Sequence, residues 1–200
     1  VWLHGLCEGK TLLKDGEKTD PYITCLSAEV TALAGESFQS IIGGANILVP
    51  QCPTYWMDAD GKSSNTDGIK IDYDGTSYYT ESLHEMIEMY KEKCGAKKVL
   101  IAGCSNGGYM TMLLATHYTT EYDGYVLICE AMGDHCLSDA DLQGIKDLPL
   151  YFVFADDDPI VDPTMHELPT IARLKAMGAS NLHVSETEHV VDLSGKYNNS

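Results

Sequence analysis

Two hundred residues, 44% of them hydrophobic and 22% charged, are enough for one globular domain with a sizeable core. Thirteen basic residues against 30 acidic ones leave a formal net charge of -17, which repels phosphate backbones and anionic lipid heads and speaks against nucleic-acid and membrane-surface partners. No uninterrupted apolar stretch reaches the roughly 18 residues of a membrane helix, and the first 15 or so residues lack the basic, apolar, small-residue layout of a signal peptide.

Short apolar runs alternate with stretches of helical period, the pattern of βαβ units that build a parallel sheet. Strands are predicted at 1–4, 46–50, 98–103, 125–129, 150–155 and 182–186. Val1-Trp2-Leu3-His4-Gly5 reads as the middle of a buried strand running into a glycine turn, so the chain is expected to begin inside its fold. The segment 54–79 is expected to be a long surface loop, because Gly, Asp, Ser and Asn crowd it without any period. Such loops often rim a site, and Tyr55 and Trp56 at its start are candidates for a substrate pocket. Asp58-x-Asp60-Gly61 is faintly like a calcium loop, but Lys62 and Ile69 stand where that motif needs oxygen ligands, so a solvated turn is expected and no metal.

Leu83, Met86, Ile87 and Tyr90 then fall at i, i+3, i+4 and i+7, with Gly95 as a helix stop. Tyr109, Met112, Leu113 and Thr116 repeat that spacing. Leu168, Ile171 and Ala172 precede a capping Gly178, with Pro169 tolerable in a first turn. No internal repeat or linker divides the chain, so 1–200 is read as one domain. The seven cysteines, Cys7, Cys25, Cys52, Cys94, Cys104, Cys129 and Cys136, are odd in number and lack metal-ligand spacing. That excludes a complete disulfide framework and favours a reducing, cytoplasmic compartment, with secretion still open.

The strongest chemical signal is Lys98-Val99-Leu100-Ile101-Ala102-Gly103-Cys104-Ser105-Asn106-Gly107-Gly108-Tyr109-Met110, a strand, a G-x-S-x-G turn and a helix. A turn this sharp needs glycine at Gly103 and Gly107, and it lifts the serine hydroxyl to the carboxyl end of the sheet. Ser105 is therefore the candidate nucleophile. The N–H of Asn106, at the start of a helix, is one candidate donor to a developing oxyanion. His4-Gly5-Leu6 after the first strand offers a second donor in the N–H of Leu6, with His4 read as structural. Chain order Ser, Asp, His points next to Asp156-Asp157-Asp158 at the end of a strand. Asp158, beginning Asp-Pro-Ile-Val, is the chosen acid and Asp157 the runner-up, since three adjacent carboxylates cannot all be buried and charged. His189 is the candidate base, the alternative being a histidine beyond Ser200.

Trp2-Leu3-His4-Gly5, Leu48-Val49-Pro50-Gln51-Cys52-Pro53 with Trp56, Gly103-Cys104-Ser105-Asn106-Gly107-Gly108 and Asp158-Pro159-Ile160-Val161 together resemble the α/β-hydrolase superfamily. Within it they are similar to bacterial esterases grouped with polyhydroxybutyrate depolymerases, feruloyl esterases and prolyl-oligopeptidase-like hydrolases. The resemblance implies the α/β-hydrolase fold, a mostly parallel central sheet with helices on both faces, here truncated at both ends. It also implies a serine esterase acting on small-molecule esters without a cofactor. Similar esterases can carry Gly-His-Trp after a turn like Asp192-Leu193-Ser194-Gly195, which keeps the second source of the base open. A peptidase using the same machinery, or a non-catalytic binding module, are the alternative functions; oligomeric state stays open.

Overall fold

A computed structural model of the chain describes residues 1–9, 20–63 and 74–190. Among these residues, β1 (Trp2–Leu3), β2 (Leu100–Cys104), β3 (Gly124–Ile128), β4 (Leu150–Ala155) and β5 (Leu182–Thr187) form one parallel sheet in the order β1-β2-β3-β4-β5. In register, Leu3 pairs with Gly103, Cys104 with Ile128, Val126 with Tyr151 and Ala155 with Thr187. Side chains at the centre of the sheet, Ile101, Leu127 and Phe152, are fully buried. This is why these strands read as near-continuous apolar runs, with covered faces replacing the usual polar alternation.

The helices are α1 (Ala28–Ala34), α2 (Glu36–Ile42), α3 (Thr80–Cys94), α4 (Asn106–His117), α5 (Asp139–Ile145) and α6 (Glu167–Ala176). α4 packs on β1, β2 and β3 and against α3 and α5, and every residue from Asn106 to Ala115 is buried. A helix apolar on all sides belongs inside a layered domain. α3 is amphipathic, burying Leu83 and Ile87, while Met86 remains exposed. Gly95 ends α3 in the left-handed conformation, as its position predicts. α6 ends at Gly178, with Gly178 N–H bonded to Lys175 O and Ala179 N–H to Leu174 O, the paired bonds of a glycine-closed helix end. Pro169 lies in its first turn.

Three expectations need correction. Residues 46–50 join no ladder among the described residues; Trp2 N–H donates to Leu48 O at 2.9 Å, and β1 beside them is only two residues long. Residues 54–58 are not a surface loop, since Thr54, Tyr55, Trp56, Met57 and Asp58 are all buried. α1, α2 and α5 were not predicted. They are seven-residue helices with little apolar period; α1 and α5 are announced by capping, where Ser27 Oγ accepts the Val30 N–H and Ser138 and Asp141 exchange bonds, whereas α2 has no side-chain cap and closes at the left-handed Gly43. The rest of the calcium-like segment, from Ser64 on, and Asp192-Leu193-Ser194-Gly195 lie outside the described residues.

β2 and α4 meet so closely that side chains are excluded there. A β-carbon at Gly103 would stand 2.2 Å from Gly107 O, and one at Gly107 would stand 2.0 Å from Leu3 O. Both obstructions are backbone, which cannot rotate aside as a side chain can. Gly107→Ala should therefore separate α4 from β1 and destabilise the chain by about 3 kcal/mol or more. Chemical denaturation checks this, with Gly144→Ala, where only the Thr119 methyl is near, as the comparison expected to change little.

Candidate active site

Ser105 joins β2 to α4 with φ 55 and ψ -114, a left-handed conformation that a non-glycine residue adopts at a cost of about 1–3 kcal/mol. Its backbone is held from two sides. The Ser105 N–H donates to Ile128 O at 2.9 Å, and Ser105 O accepts from Tyr109 N–H at 3.0 Å and Ala131 N–H at 3.2 Å. The residue is half-buried at the carboxyl end of the sheet. As first residue of α4, Asn106 has a backbone N–H with no acceptor inside the helix. The Asn106 side chain is buried, and its Oδ1 accepts the Trp56 N–H at 2.7 Å.

The second candidate donor stands beside this turn. Leu6 opens a 3-10 turn, Leu6–Glu8, directly after β1, so its N–H likewise lacks an intrahelical acceptor. The neighbouring Gly5 N–H is already used by Glu8 Oε2 at 3.0 Å, which leaves Leu6 as the amide available at this turn. The idealised β-carbon of Gly5 would come within 4.0 Å of Cys104 O, so the turn borders the Ser105 segment. His4 fixes its shape. Its buried ring accepts the Cys52 N–H at Nε2, 2.9 Å, and donates from Nδ1 to Gly5 O, 2.6 Å. The Trp56 indole N–H donates to His4 O at 3.2 Å. Tyr55 and Trp56, expected on a pocket wall, are 0% and 2% exposed and belong to this supporting layer.

At the ends of β4 and β5, the structure brings His189 to Asp157: Nδ1 lies 2.9 Å from Asp157 Oδ2, with the histidine side chain 55% exposed. Asp158 is engaged differently. Its Oδ1 accepts the N–H groups of Ile160, 2.8 Å, and Val161, 3.0 Å, closing the turn that Pro159 helps to shape. Among the described residues the Ser105 hydroxyl makes no hydrogen bond, to His189 or to any other group. Three other histidines are committed elsewhere. His84 stacks on Tyr118 and bonds Tyr122 OH, His117 bonds Leu113 O, and His166 bonds Asp162 O. The Asp58 carboxylate, expected in a solvated turn, is buried and accepts from Thr54 Oγ1 and from the N–H groups of Asp60, Gly61 and Ser63. Among the described residues no group of three potential ligands could hold a metal ion, and no helix is long and apolar enough to cross a membrane.

Two buried carboxyl groups behind Ser105 escaped the sequence reading. Glu130 follows β3 and bonds the Met132 N–H at 2.7 Å; its other oxygen and both Glu167 oxygens are buried without hydrogen-bond partners among the described residues. Burial, reinforced by the charge of Glu167, pushes Glu130 well above the usual carboxylate range. Burial, then the charge of Asp158, pushes Glu167 up to about 7. The available signal was a glutamate placed directly after an apolar strand, at the same sheet end as Ser105.

Burial acts oppositely on His4, holding its pKa at about 4 against the raising effect of Gly5 O. The unfolded chain takes up a proton near 6.5 that the folded chain refuses until about 4. The resulting stability is complete above pH 6.5 and disappears as pH falls to 4, in total about 3 kcal/mol. Glu167 contributes with the other sign: its folded form keeps a proton that the unfolded chain releases, so stability declines as pH rises from 4.5 through 7. Between pH 4.5 and 6.5 the two contributions oppose each other, so a His4→Gln variant should lose stability more steeply than the wild type as pH rises through that range. Denaturation midpoints measured across it test this, and an unchanged slope would refute it.

No protein-family model and no curated protein matches the sequence. Solved structures do. A thermostable esterase aligns over 93% of this chain with a TM-score of 0.67 and 21% identity; this chain spans 45% of its length. SOBER1 of Arabidopsis thaliana aligns over 93% of this chain and 86% of its own, with a TM-score of 0.52 and 16% identity. Esterase PE8 aligns over 97% and 85%, with a TM-score of 0.54 and 13% identity. With a parallel five-stranded sheet, helices packed around it and a left-handed serine between β2 and α4, this chain has the α/β-hydrolase fold.

Proposed function

We propose that the chain hydrolyses carboxylic esters through an acyl-enzyme on Ser105. The observation that carries this reading is the left-handed Ser105 at the strand-to-helix junction, between the N–H of Asn106 and the turn that carries Leu6. Storing strain at such a point has a use: it holds the hydroxyl out where a carbonyl carbon can reach it. A base removes the hydroxyl proton as Oγ attacks. The carbonyl oxygen gains negative charge and takes hydrogen bonds from the Asn106 and Leu6 amides, which need no rearrangement to receive it. The tetrahedral adduct collapses, the alcohol leaves with the proton from the base, and water repeats the sequence to free the acid.

His189 is the proposed base and a carboxylate of the aspartate run its partner. The bond from His189 Nδ1 to Asp157 is the contact by which a carboxylate orients an imidazole base. This favours Asp157 for orienting the ring, whereas Asp158, chosen from sequence, holds the turn that presents it. The net charge of -17 favours neutral esters over anionic ones.

Ser105→Ala should keep the wild-type denaturation midpoint and lose kcat for p-nitrophenyl acyl esters by about 10³-fold or more. A fluorophosphonate should label the wild type on Ser105 alone; labelling elsewhere defeats the assignment. The hydroxyl's lack of a hydrogen-bonded base favours one rival, a binding module in the same fold, and that rival predicts no labelling at all. The choice of acid is read by comparison. Asp157→Asn should lower kcat by about 10²-fold or more with little loss of stability, while Asp158→Asn should act mainly on stability through its turn. The reverse order would restore Asp158.

A further inference from the structure

Cys104 ends β2 immediately before Ser105, and Cys129 follows the last residue of β3. Both are half-buried free thiols, and their sulfurs lie 3.5 Å apart. Cys104 is the register partner of Ile128, so Cys129 stands one residue further along the neighbouring strand. Strand spacing and rise then separate the two Cα atoms by about 6 Å, within the span a disulfide bridges. In a regular strand Cys129 would project to the opposite face from Ile128. Instead it adopts φ 35, which turns its sulfur towards Cys104. That strained backbone is held by Cys129 N–H on Val153 O, 2.8 Å, and by Ser105 N–H on Ile128 O, 2.9 Å. A left-handed cysteine beside a second cysteine, directly under the left-handed serine, has no part in the ester chemistry.

We infer that Cys104 and Cys129 form a dithiol–disulfide site, oxidised by small disulfides, whose closure beneath Ser105 lowers the reactivity of that serine. The first half stands without any assumption about Ser105; the second rests on its being the nucleophile. The Cys104 thiolate attacks one sulfur of the oxidant and expels the other as a thiolate, leaving a mixed disulfide. Cys129 then loses its proton to solvent and attacks the Cys104 sulfur, expelling the second small thiolate. Two protein thiols are oxidised, one small disulfide is reduced to two thiols, and no other reactant is consumed. The hydrogen bond between the two sulfurs, outweighing burial, pulls the Cys104 thiol below its ordinary range and, with burial, raises Cys129. The charges of Glu8, Glu29 and Asp158 oppose the thiolate at Cys104.

The test incubates the reduced, folded chain with oxidised glutathione, blocks remaining thiols by alkylation, and maps the digested peptides by mass spectrometry. The expected product joins the peptides of Cys104 and Cys129 with the loss of two hydrogens and reverts with dithiothreitol. In parallel, fluorophosphonate labelling of Ser105 should slow by about 10-fold or more and recover on reduction, because small displacements at a reacting atom have large effects on rate. Cys129→Ser and Cys104→Ser should each abolish the cross-link, and Cys129→Ser should label at a rate that oxidised glutathione does not change. Separate alkylation of both cysteines, or glutathione retained on Cys104 without a cross-link, overturns the site. A cross-link with unchanged labelling overturns its effect on Ser105. A cross-link in a chain that never labels supports the dithiol site and overturns both that effect and the hydrolase reading.

Discussion

The backbone of Ser105 can stay left-handed only because its neighbours leave it no alternative. Leu3 O presses on Gly107 from β1, Gly107 O presses on Gly103 from within the turn, and β3 takes the Ser105 N–H. Relaxing Ser105 to an ordinary conformation would swing α4 off the sheet and uncover a helix whose residues from Asn106 to Ala115 are all buried. The apolar burial of α4, at about 25 cal/mol per Å², outweighs the local strain, so the energy that holds one hydroxyl in place comes from packing some distance away.

Around that turn, polar groups are arranged by burial more than by pairing of charges. His4 is kept neutral inside the fold and serves as a rigid connector between the Leu6 turn and residue 52. Burial pushes Glu130, which stands against Gly108, well above the usual carboxylate range, and pushes Glu167, at the start of α6, up to about 7. Asp157 and His189 stand instead at the ends of β4 and β5, with side chains 35% and 55% exposed. Ser105, Asp157 and His189 all follow the carboxyl ends of parallel strands. A dry layer that fixes backbone shape thus lies beneath a wet rim that can exchange protons.

What could be read from the amino acids follows from how local each cause is. The Gly103 to Gly108 turn was legible because steric exclusion by backbone leaves a mark on composition. Five strands were legible because a doubly covered parallel sheet writes itself as apolar runs, and Gly95 and Gly178 because a left-handed helix end selects glycine. The 46–50 run has the same composition as a strand, and what it lacks, a partner long enough to pair with, is not a property of its own residues. Tyr55 and Trp56 looked like loop residues because the Gly-, Asp- and Ser-rich stretch after them is polar. Their burial is decided by Asn106 and His4, about 50 positions away. Choosing between Asp157 and Asp158 required knowing which carboxylate the turn itself consumes. Glu130 and Glu167 are apart in sequence and meet only in the folded chain.

The bond from Cys52 to His4 spans 48 residues, that from Trp56 to Asn106 spans 50, and that from Trp56 to His4 spans 52. Three distant stretches are thereby clasped at one point, and none of them has a local reason to hold its shape alone. Closing loops of this length carries an entropic penalty that only the finished core offsets. The relative placement of the Leu6 and Asn106 turns is therefore a property of the whole fold, and loosening the core at any of these stretches would let the two drift apart.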